Sequence, residues 1–231
     1  MNSSRLSQIL QVLLIILINT ASYGQNPIKE TRLTRKLGNI EIIITQFKSL
    51  IKYPKIPLCN AEISIKKNGN KIDSIIFKEI EGVGGDYGLN VYNELINDHL
   101  IITKYGDYDG LTIIINNKGE VFSIIGGYIF VDFESNILFS IYDSDLSGFS
   151  VFDLSSDSEI LKTTEMEDRP NAFYKQKSEY LMKTINDETE TEAIWNVNLL
   201  TKELNKVQIE LETLNDFLLN KLIEKNKINC E

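Results

Sequence analysis

The chain has few of the side chains that carry out most enzyme chemistry. It contains one histidine, His99, and two cysteines, Cys59 and Cys230. The usual zinc sites need three or four cysteine and histidine ligands, and a serine or cysteine triad needs a histidine base. His99 precedes the apolar run 100–102, where we expect a turn or strand-edge residue and no catalytic base. The composition therefore excludes a cysteine–histidine zinc cluster, and it offers no recognisable nucleophilic triad.

The sequence also lacks an apolar run long enough to cross a bilayer, which needs about 20 residues. The run from Ile9 to Ile18 is shorter, follows Arg5 and precedes the small and polar residues 20–24. This order is typical of a secretory signal peptide, so we expect residues 1–24 to be removed on export. An uncleaved N-terminal anchor is the alternative. An exported protein would act in the periplasm or outside the cell.

Basic residues are outnumbered by acidic ones. The chain has 24 lysines and arginines against 33 aspartates and glutamates, a formal net charge of −9. A surface of this sign disfavours nucleic acid and anionic membranes, and it favours a basic protein as partner. Residues 25–231 are enough for a single β-rich domain with its own core.

The two cysteines can pair in an oxidising compartment. A bridge between Cys59 and Cys230 would hold the C-terminal tail against the first part of the fold. Because it would close a long loop, the chain-entropy model gives it a stabilisation on the order of 5 kcal/mol. The alternative is that Cys59 is a small core residue and Cys230 a free thiol in a frayed terminus.

What the sequence does contain is internal similarity at a period near 40 residues. A shift of 43 residues superimposes Phe130 on Phe173, Ser135 on Ser178, Leu138 on Leu181, Val151 on Ile194, Phe152 on Trp195 and Asp153 on Asn196. A shift of 38 residues toward the N-terminus superimposes Leu138 on Leu100, Gly148 on Gly110, Ser150 on Thr112 and Val151 on Ile113. This pattern predicts three similar units, at about 85–127, 128–165 and 171–210.

Each unit is expected to hold four short strands. In the middle unit, alternating or continuous apolar residues predict strands at 129–133, 137–142 and 149–154, and a fourth from residue 160. Two hairpins stand out, one around residues 116–119 and one around Asn68-Gly69, a pair that adopts positive φ at low cost. Four-stranded units at this spacing are typical of propeller blades.

Two short segments carry a family resemblance. Val151-Phe152-Asp153-Leu154 and Ile194-Trp195-Asn196-Val197 resemble the third strand of WD-repeat propellers, over parts of two units and without the Gly-His dipeptide of those repeats. The resemblance implies an all-β, propeller-like array of about four four-stranded units, possibly four-bladed, between residue 37 and about 207. The alternative is a β-sandwich whose hairpins look periodic.

The sequence pattern changes after the last predicted strand. Leu214, Phe217, Leu218 and Leu222 recur at helical spacing, and Thr213 with Asp216 has the spacing of a capping box. We therefore expect one amphipathic helix over about residues 214–226 that packs its apolar face on the β domain. A helix that binds a partner is the alternative.

Two loops have some features of ligand-binding loops. The glycines at 82, 84, 85 and 88 lack the lysine and hydroxyl residue of a phosphate loop, so we expect a flexible turn. In the segment 143–148, Asp143, Asp145 and Ser147 match the first oxygen ligands of a calcium loop, but no acid completes it. Polar turn residues are the alternative. Calcium is thus the only cofactor candidate.

The candidate partner-binding residues are acidic or aromatic and lie in loops. These loops join the second and third strands of a unit or connect two units, and antiparallel order puts both kinds at one end. The residues are Tyr105, Asp107, Tyr108, Asp109, Tyr142, Asp143, Asp145, Glu165, Glu167, Asp168, Asp187, Glu188 and Glu190. Clustered carboxylates would attract a basic partner, and tyrosines would anchor it. The alternative is a solvated acidic face.

The expected function is that of a non-enzymatic binding protein of the bacterial envelope. One concrete form is a periplasmic immunity protein or inhibitor that engages a basic protein through its acidic loops. One alternative is a calcium- or glycan-dependent surface module. Another is a carboxylate-based hydrolase, which needs two acids about 5–10 Å apart in a cleft.

Overall fold

The computed structural model describes residues 30–50, 57–77, 89–91, 96–104, 110–142, 147–222 and 226–228. These residues form strands β1–β18 and one short 3-10 helix. The described part of the chain is therefore all-β, as predicted. The expected signal peptide and the glycine-rich segment 82–88 lie outside it.

The first sheet is an antiparallel meander of four strands. It contains β1 (Glu30–Leu37), β2 (Ile40–Leu50), β3 (Pro57–Lys67) and β4 (Asn70–Phe77). The predicted turn at Asn68-Gly69 joins β3 to β4, with φ of 51° and 83° at the two residues. Both values are positive, as this tight hairpin turn requires.

Three further meanders follow in chain order. The second sheet contains β5 (Leu89–Val91), β6 (His99–Lys104), β7 (Leu111–Asn116) and β8 (Val121–Ile125). The third contains β9 (Tyr128–Asp132), β10 (Ile137–Tyr142), β11 (Ser147–Asp153) and β12 (Ser158–Met166). The fourth contains β13 (Arg169–Gln176), β14 (Glu179–Ile185), β15 (Glu192–Asn198) and β16 (Glu203–Val207). Neighbouring strands within each sheet are antiparallel.

Apolar clusters join each sheet to the next. Ile44 of the first sheet packs with Ile113 of the second, and Ile114 on the opposite face of β7 packs with Leu138 of the third. Phe139 of the third sheet stacks on Phe173 of the fourth, with ring centroids 4.5 Å apart. Because successive side chains of a strand point to opposite faces, a strand between two sheets carries apolar side chains on both faces. The four sheets are thus stacked in chain order.

The stacked sheets have two different ends. The connection end carries the links between sheets at 125–128 and 166–169, and the turn end carries the β7–β8, β9–β10 and β11–β12 turns. The register shows this directly, since Leu111 pairs with Ile125 and Tyr128 pairs with Ile141. The described β14–β15 turn and the links between sheets therefore lie at the connection end, and they carry Asp168, Asp187, Glu188 and Glu190.

A tight glycine contact holds the second and third sheets together at the connection end. The Gly126 N–H donates to the Gly110 carbonyl at 2.7 Å, and the Gly127 N–H donates to the Ile141 carbonyl at 3.0 Å. Gly126 has a φ of 105°, and a Cβ there would lie 2.5 Å from the Ile141 carbonyl oxygen. Only glycine fits this position without displacing backbone.

The predicted amphipathic helix over residues 214–226 is wrong. The chain forms a 3-10 helix at Leu211–Phe217, and then the short strands β17 (Asn220–Lys221) and β18 (Asn226–Ile228). The predicted capping box also fails, because the Thr213 hydroxyl donates to the Glu210 carbonyl at 2.6 Å. Glu210 itself stands at the N-cap without a side-chain capping bond.

An extended chain replaces the helix because it meets the open edges of three sheets. We call residues 218–222 and 226–228 the C-terminal strap. Its Leu219 N–H donates to the carbonyl of Phe173 in β13, and its Leu222 N–H donates to the carbonyl of Ile129 in β9, both at 2.9 Å. β18 pairs with β5. The strap thus crosses the first strands of the fourth, third and second sheets and satisfies edge groups that a helix would leave open.

The outer faces of the first and fourth sheets differ. On the fourth sheet, Leu214 of the 3-10 helix packs against Tyr174 and Leu181. On the first sheet, Glu62 accepts hydrogen bonds from Lys71 at 3.0 Å and Ser74 at 2.9 Å. No apolar cluster of the described residues joins these two sheets. None of the four sheets is closed.

Candidate functional site

Two loops at the connection end of the fourth sheet bring predicted acidic residues together. One is the link from β12 to β13, which carries Asp168, and the other is the β14–β15 turn, which carries Asp187. The Asn186 amide donates to Asp168 Oδ1 at 2.9 Å. The Arg169 guanidinium donates to Asp187 through Nη2 at 3.0 Å and Nε at 3.3 Å. These bonds tie the two loops to each other.

The β14–β15 turn is also ordered from within. Asn186 Oδ1 accepts from the backbone N–H of Glu188 at 3.2 Å, from that of Thr189 at 3.0 Å and from the Thr189 hydroxyl at 2.9 Å. An asparagine that bonds the backbone two and three residues ahead mimics a backbone turn. The carboxylates of Glu188 and Glu190 are therefore carried on a defined turn.

Most of the carboxylates on these loops lack a cation. Asp187 pairs with Arg169, and Glu192 pairs with Lys183 at 2.9 Å. In the part of the chain that the structure describes, the other glutamates of these loops form no ion pair. We call the following residues the acidic surface: Glu165, Glu167, Asp168, Asp187, Glu188 and Glu190. This surface therefore carries uncompensated negative charge.

The other predicted site residues, including the calcium candidates and the two cysteines, are placed less completely. Those outside the described residues are Tyr105, Asp107, Tyr108, Asp109, Asp143, Asp145 and Cys230. Tyr142 is buried at the end of β10 with 9% of its surface exposed, and Ser147 pairs with Met166 at the connection end. Cys59 lies in β3. Among the residues described, no group of three or more histidines, cysteines and acids could hold a metal ion.

A buried polar network joins the third and fourth sheets at the turn end. Asp132 has 4% of its surface exposed. Its Oδ2 accepts from Lys175 Nζ at 2.8 Å and from the Tyr180 hydroxyl at 2.7 Å. Burial raises the pKa of Asp132, but the hydrogen bonds from Lys175, Tyr180 and Ser135 outweigh it and lower the pKa to about 2. Asp132 is therefore a charged cross-link at neutral pH.

The partners of Asp132 are fixed in their protonated forms. Burial, together with the hydrogen bond to Asp132, raises the pKa of Tyr180 to about 12. The hydrogen bond to Asp132 raises the pKa of Lys175 as well. Lys175 Nζ also reaches Ser135 Oγ at 2.9 Å and Glu134 at 3.3 Å, so its three donors are occupied. Asp132 engages both the ammonium of Lys175 and the hydroxyl of Tyr180, so the network links the third sheet to the fourth.

A second network joins the second and third sheets at the same end. His99 Nε2 lies 2.6 Å from Asp157 Oδ1, and its Nδ1 lies 2.6 Å from the Asn97 carbonyl. Asn116 donates to Asp157 Oδ2 at 2.9 Å. His99 thus bridges Asp157 on one side of its ring and the Asn97 carbonyl on the other. Burial raises the pKa of Asp157, but the hydrogen bonds from His99 and Asn116 dominate and lower it.

Sequence reasoning missed both networks. One signal was present, because the shift of 43 residues that aligns Phe130 with Phe173 also places Asp132 over Lys175. Opposite charges at one position of adjacent units are expected to meet when the units stack. No such signal links His99 to Asp157, which lies 58 residues further along the chain.

Comparison with known proteins adds no relative. No protein-family model, no curated protein and no solved structure matches the chain. Among the described residues, no helix has the length and apolar character needed to cross a bilayer. The acidic surface and the two polar networks are thus the features that bear on function.

Proposed function

We propose that the chain is an exported, non-enzymatic binding protein whose acidic surface engages a basic protein. The observation that carries this proposal is the pair of loops held together by Arg169–Asp187 and Asn186–Asp168. They present Glu167, Glu188 and Glu190 from ordered backbone, and within the described residues these three carboxylates form no ion pair. A surface that is already ordered loses little conformational freedom on binding, so more of the interaction energy appears as affinity.

The charge of this surface acts mainly on the rate of association. Clustered charges of one sign attract a partner of the opposite sign over about 10 Å at moderate salt, and added salt screens that attraction. The whole chain has a formal net charge of −9, which has the same sign as this surface. One concrete form of the function is an immunity protein or inhibitor that covers the active site of a basic toxin or hydrolase in the envelope.

The proposal includes an arrangement of the four sheets as blades of an open, propeller-like array. Their stacking in chain order supports it, as does the strap along β13, β9 and β5, because first strands lie nearest the axis of a propeller. In this arrangement the inter-sheet links and the β14–β15 turn share one rim. The acidic surface would occupy part of that rim.

Co-purification tests the binding function. The full chain, tagged and recovered from the envelope of its source cells at about 0.05 M salt, should retain a basic protein that is released by about 0.5 M salt, because screening shortens the Debye length several-fold over this range. Recovery of no basic protein at low salt would refute the proposal. Retention that is the same at both salt concentrations would refute its electrostatic basis.

A further inference from the structure

The first strand of the first sheet has an open edge. In the other three sheets the first strand receives the C-terminal strap, which bonds to β13, β9 and β5. Within the described residues β1 pairs with β2 alone, in an unbroken register along its eight residues. Arg35 donates to the carbonyl of Thr34 within the same strand at 3.3 Å, and a carbonyl oxygen can accept a second bond. The free side of β1 therefore offers backbone N–H and C=O groups to another extended chain.

The two faces of β1 differ in chemistry. Leu33 and Leu37 pack in the core between the first and second sheets. Arg32, Thr34 and Lys36 alternate with them, and all three are exposed on the outer face. A segment paired with β1 would place alternate side chains beside each of these rows. On the outer face it would thus meet two cations that are four residues apart.

The cations of this face are not compensated within the first sheet. Among the residues that the structure describes, Arg32 and Lys36 form no ion pair. Lys36 and Lys66 lie on either side of Glu41 in the sheet, so two lysines flank one carboxylate. Residues 30–77 hold nine basic and four acidic residues, although the whole chain has a net charge of −9. The first sheet is therefore a basic part of an acidic protein.

A second copy of the chain is a poor match for this edge. Two β1 strands paired antiparallel would bring Arg32 of one copy against Lys36 of the other, and like charges directly opposite are destabilising. Basic side chains on an edge strand oppose self-pairing in general. A segment with carboxylates at the same four-residue spacing would meet opposite charges instead.

We propose that the open edge of β1 binds an extended, acidic segment of a partner protein by β-strand addition. The backbone ladder would supply affinity, and acids at positions i and i+4 would pair with Arg32 and Lys36. This spacing fits a parallel or an antiparallel segment, since both place the two acids opposite the two cations. Apolar residues at i+1 and i+3 would extend the row formed by Leu33 and Leu37. The site is additional to the acidic surface, and the two take partners of opposite charge.

Fluorescence anisotropy with labelled eight-residue peptides tests the site on the full chain. The probe is the peptide TVEVTVET, whose two glutamates are four residues apart. One comparator is TVKVTVKT, in which the charge is reversed. The other is TVEPTVET, which keeps both glutamates but loses a ladder N–H to proline. At about 0.05 M salt we expect the probe to bind, and each comparator to bind roughly fivefold or more weakly.

Substitutions in the chain separate the edge from general positive charge. Arg32→Gln with Lys36→Gln should weaken the probe roughly fivefold or more, because two opposite-charge cross-strand pairs are lost. The matched control is Lys66→Gln with Lys67→Gln, which removes two cations from β3, a strand that is paired on both sides. Equal weakening by the two double variants would overturn the proposal, because it would show that net charge alone acts.

Hydrogen exchange supplies a readout that needs no variant. The bound probe should slow exchange of the β1 amides on the open edge and leave those of β16, the edge strand of the fourth sheet, unchanged. No binding of the probe at millimolar concentration would overturn the proposal, as would binding that protects no β1 amide. Protection of β1 that rises with the concentration of the free chain would do so too, because a second copy would then fill the edge.

The test is independent of the function proposed for the acidic surface. That surface is carried by loops at the connection end of the fourth sheet, whereas Arg32 and Lys36 belong to the first sheet. The double variant Arg32→Gln with Lys36→Gln should therefore lose the acidic peptide and still capture a basic protein.

Discussion

Replacing Asp132 by asparagine removes one charge from the centre of the link between the third and fourth sheets. The substitution keeps the shape of the side chain. In the wild-type protein the backbone N–H of Glu134 donates to Asp132 Oδ1 at 3.1 Å, and the asparagine oxygen can still accept this bond. The new amide N–H groups, however, face the donors of Lys175 and Tyr180. Both donors therefore lose their acceptor inside a site where Asp132 is 4% exposed.

The magnitude follows from the pKa of Asp132, which is about 2 against an ordinary value of 3.8. A shift of this size corresponds to roughly 2.5 kcal/mol of stability at neutral pH. Removing one partner of a fully buried pair costs about 3–5 kcal/mol, but the Lys175 side chain is 20% exposed and water can reach it. We therefore expect Asp132→Asn to lower the free energy of unfolding by about 2–3 kcal/mol.

The pH dependence has a definite sign. Because the folded pKa of Asp132 lies below its ordinary value, the stabilisation is fully present above the ordinary value and is lost as the pH falls toward about 2. Urea unfolding followed by Trp195 fluorescence measures it, since the chain has one tryptophan. The control is Glu134→Gln, which removes an 89% exposed carboxylate from the same lysine and should cost less than about 1 kcal/mol. Equal stability of wild type and Asp132→Asn at pH 7, or a difference that does not shrink in acid, would refute this reasoning.

Two substitutions and one truncation test other parts of the structure. Gly126→Ala should lower the free energy of unfolding by about 2 kcal/mol or more, because φ is 105° and the new Cβ would meet a carbonyl oxygen. The control is Gly38→Ala, where φ is 58° and the space is open, and it should lower the free energy of unfolding by about 1 kcal/mol. Similar losses for the two variants in urea unfolding would argue against the glycine contact. His99→Ala leaves Asp157 without its main donor and should cost about 1–3 kcal/mol, and an unchanged denaturation midpoint would contradict that. Removal of residues 211–231 uncovers the edges of three sheets, so light scattering should detect self-association. A monomer as stable as the full chain would show that the strap is dispensable.

Local sequence signals predicted the hairpins and the central strands well. Asn68-Gly69 supplies positive φ wherever it occurs, so the β3–β4 turn could be predicted from two residues. Five of the six residues in the run 137–142 are apolar and the sixth is Ser140, a pattern that fits a strand buried on both faces, and all six residues of β10 are buried. Antiparallel order alone then placed the loops of Asp168 and Asp187 at one end.

The C-terminal segment shows where local patterns fail. The spacing of Leu214, Leu218 and Leu222 fits one face of a helix, but the structure sends Leu214 to the outer face of the fourth sheet and Leu222 to the cluster between the second and third. The deciding factor is the row of unpaired backbone groups on β13, β9 and β5. These edges come together only after the sheets have stacked, so no window of sequence contains that information.

The acidic surface was predicted in part. The sequence indicates which loops carry acids. The bonds that fix the loops come from Asn186 and Arg169, and nothing in the sequence distinguishes these two residues from other polar residues of a turn. The pair formed by His99 and Asp157 depends on how two sheets stack. Because the two residues are 58 positions apart in the sequence, no local pattern predicts their contact.

The association rate with the captured basic protein tests the central claim most directly. Two variants each lose three negative charges: Glu167→Gln with Glu188→Gln and Glu190→Gln at the connection end, and Glu134→Gln with Glu159→Gln and Glu203→Gln at the turn end. At low salt the first variant should associate roughly tenfold more slowly than wild type and lose most of its salt dependence, and the second should stay close to wild type. Equal rates for the two variants would show that net charge alone acts, and would contradict a binding surface at the connection end.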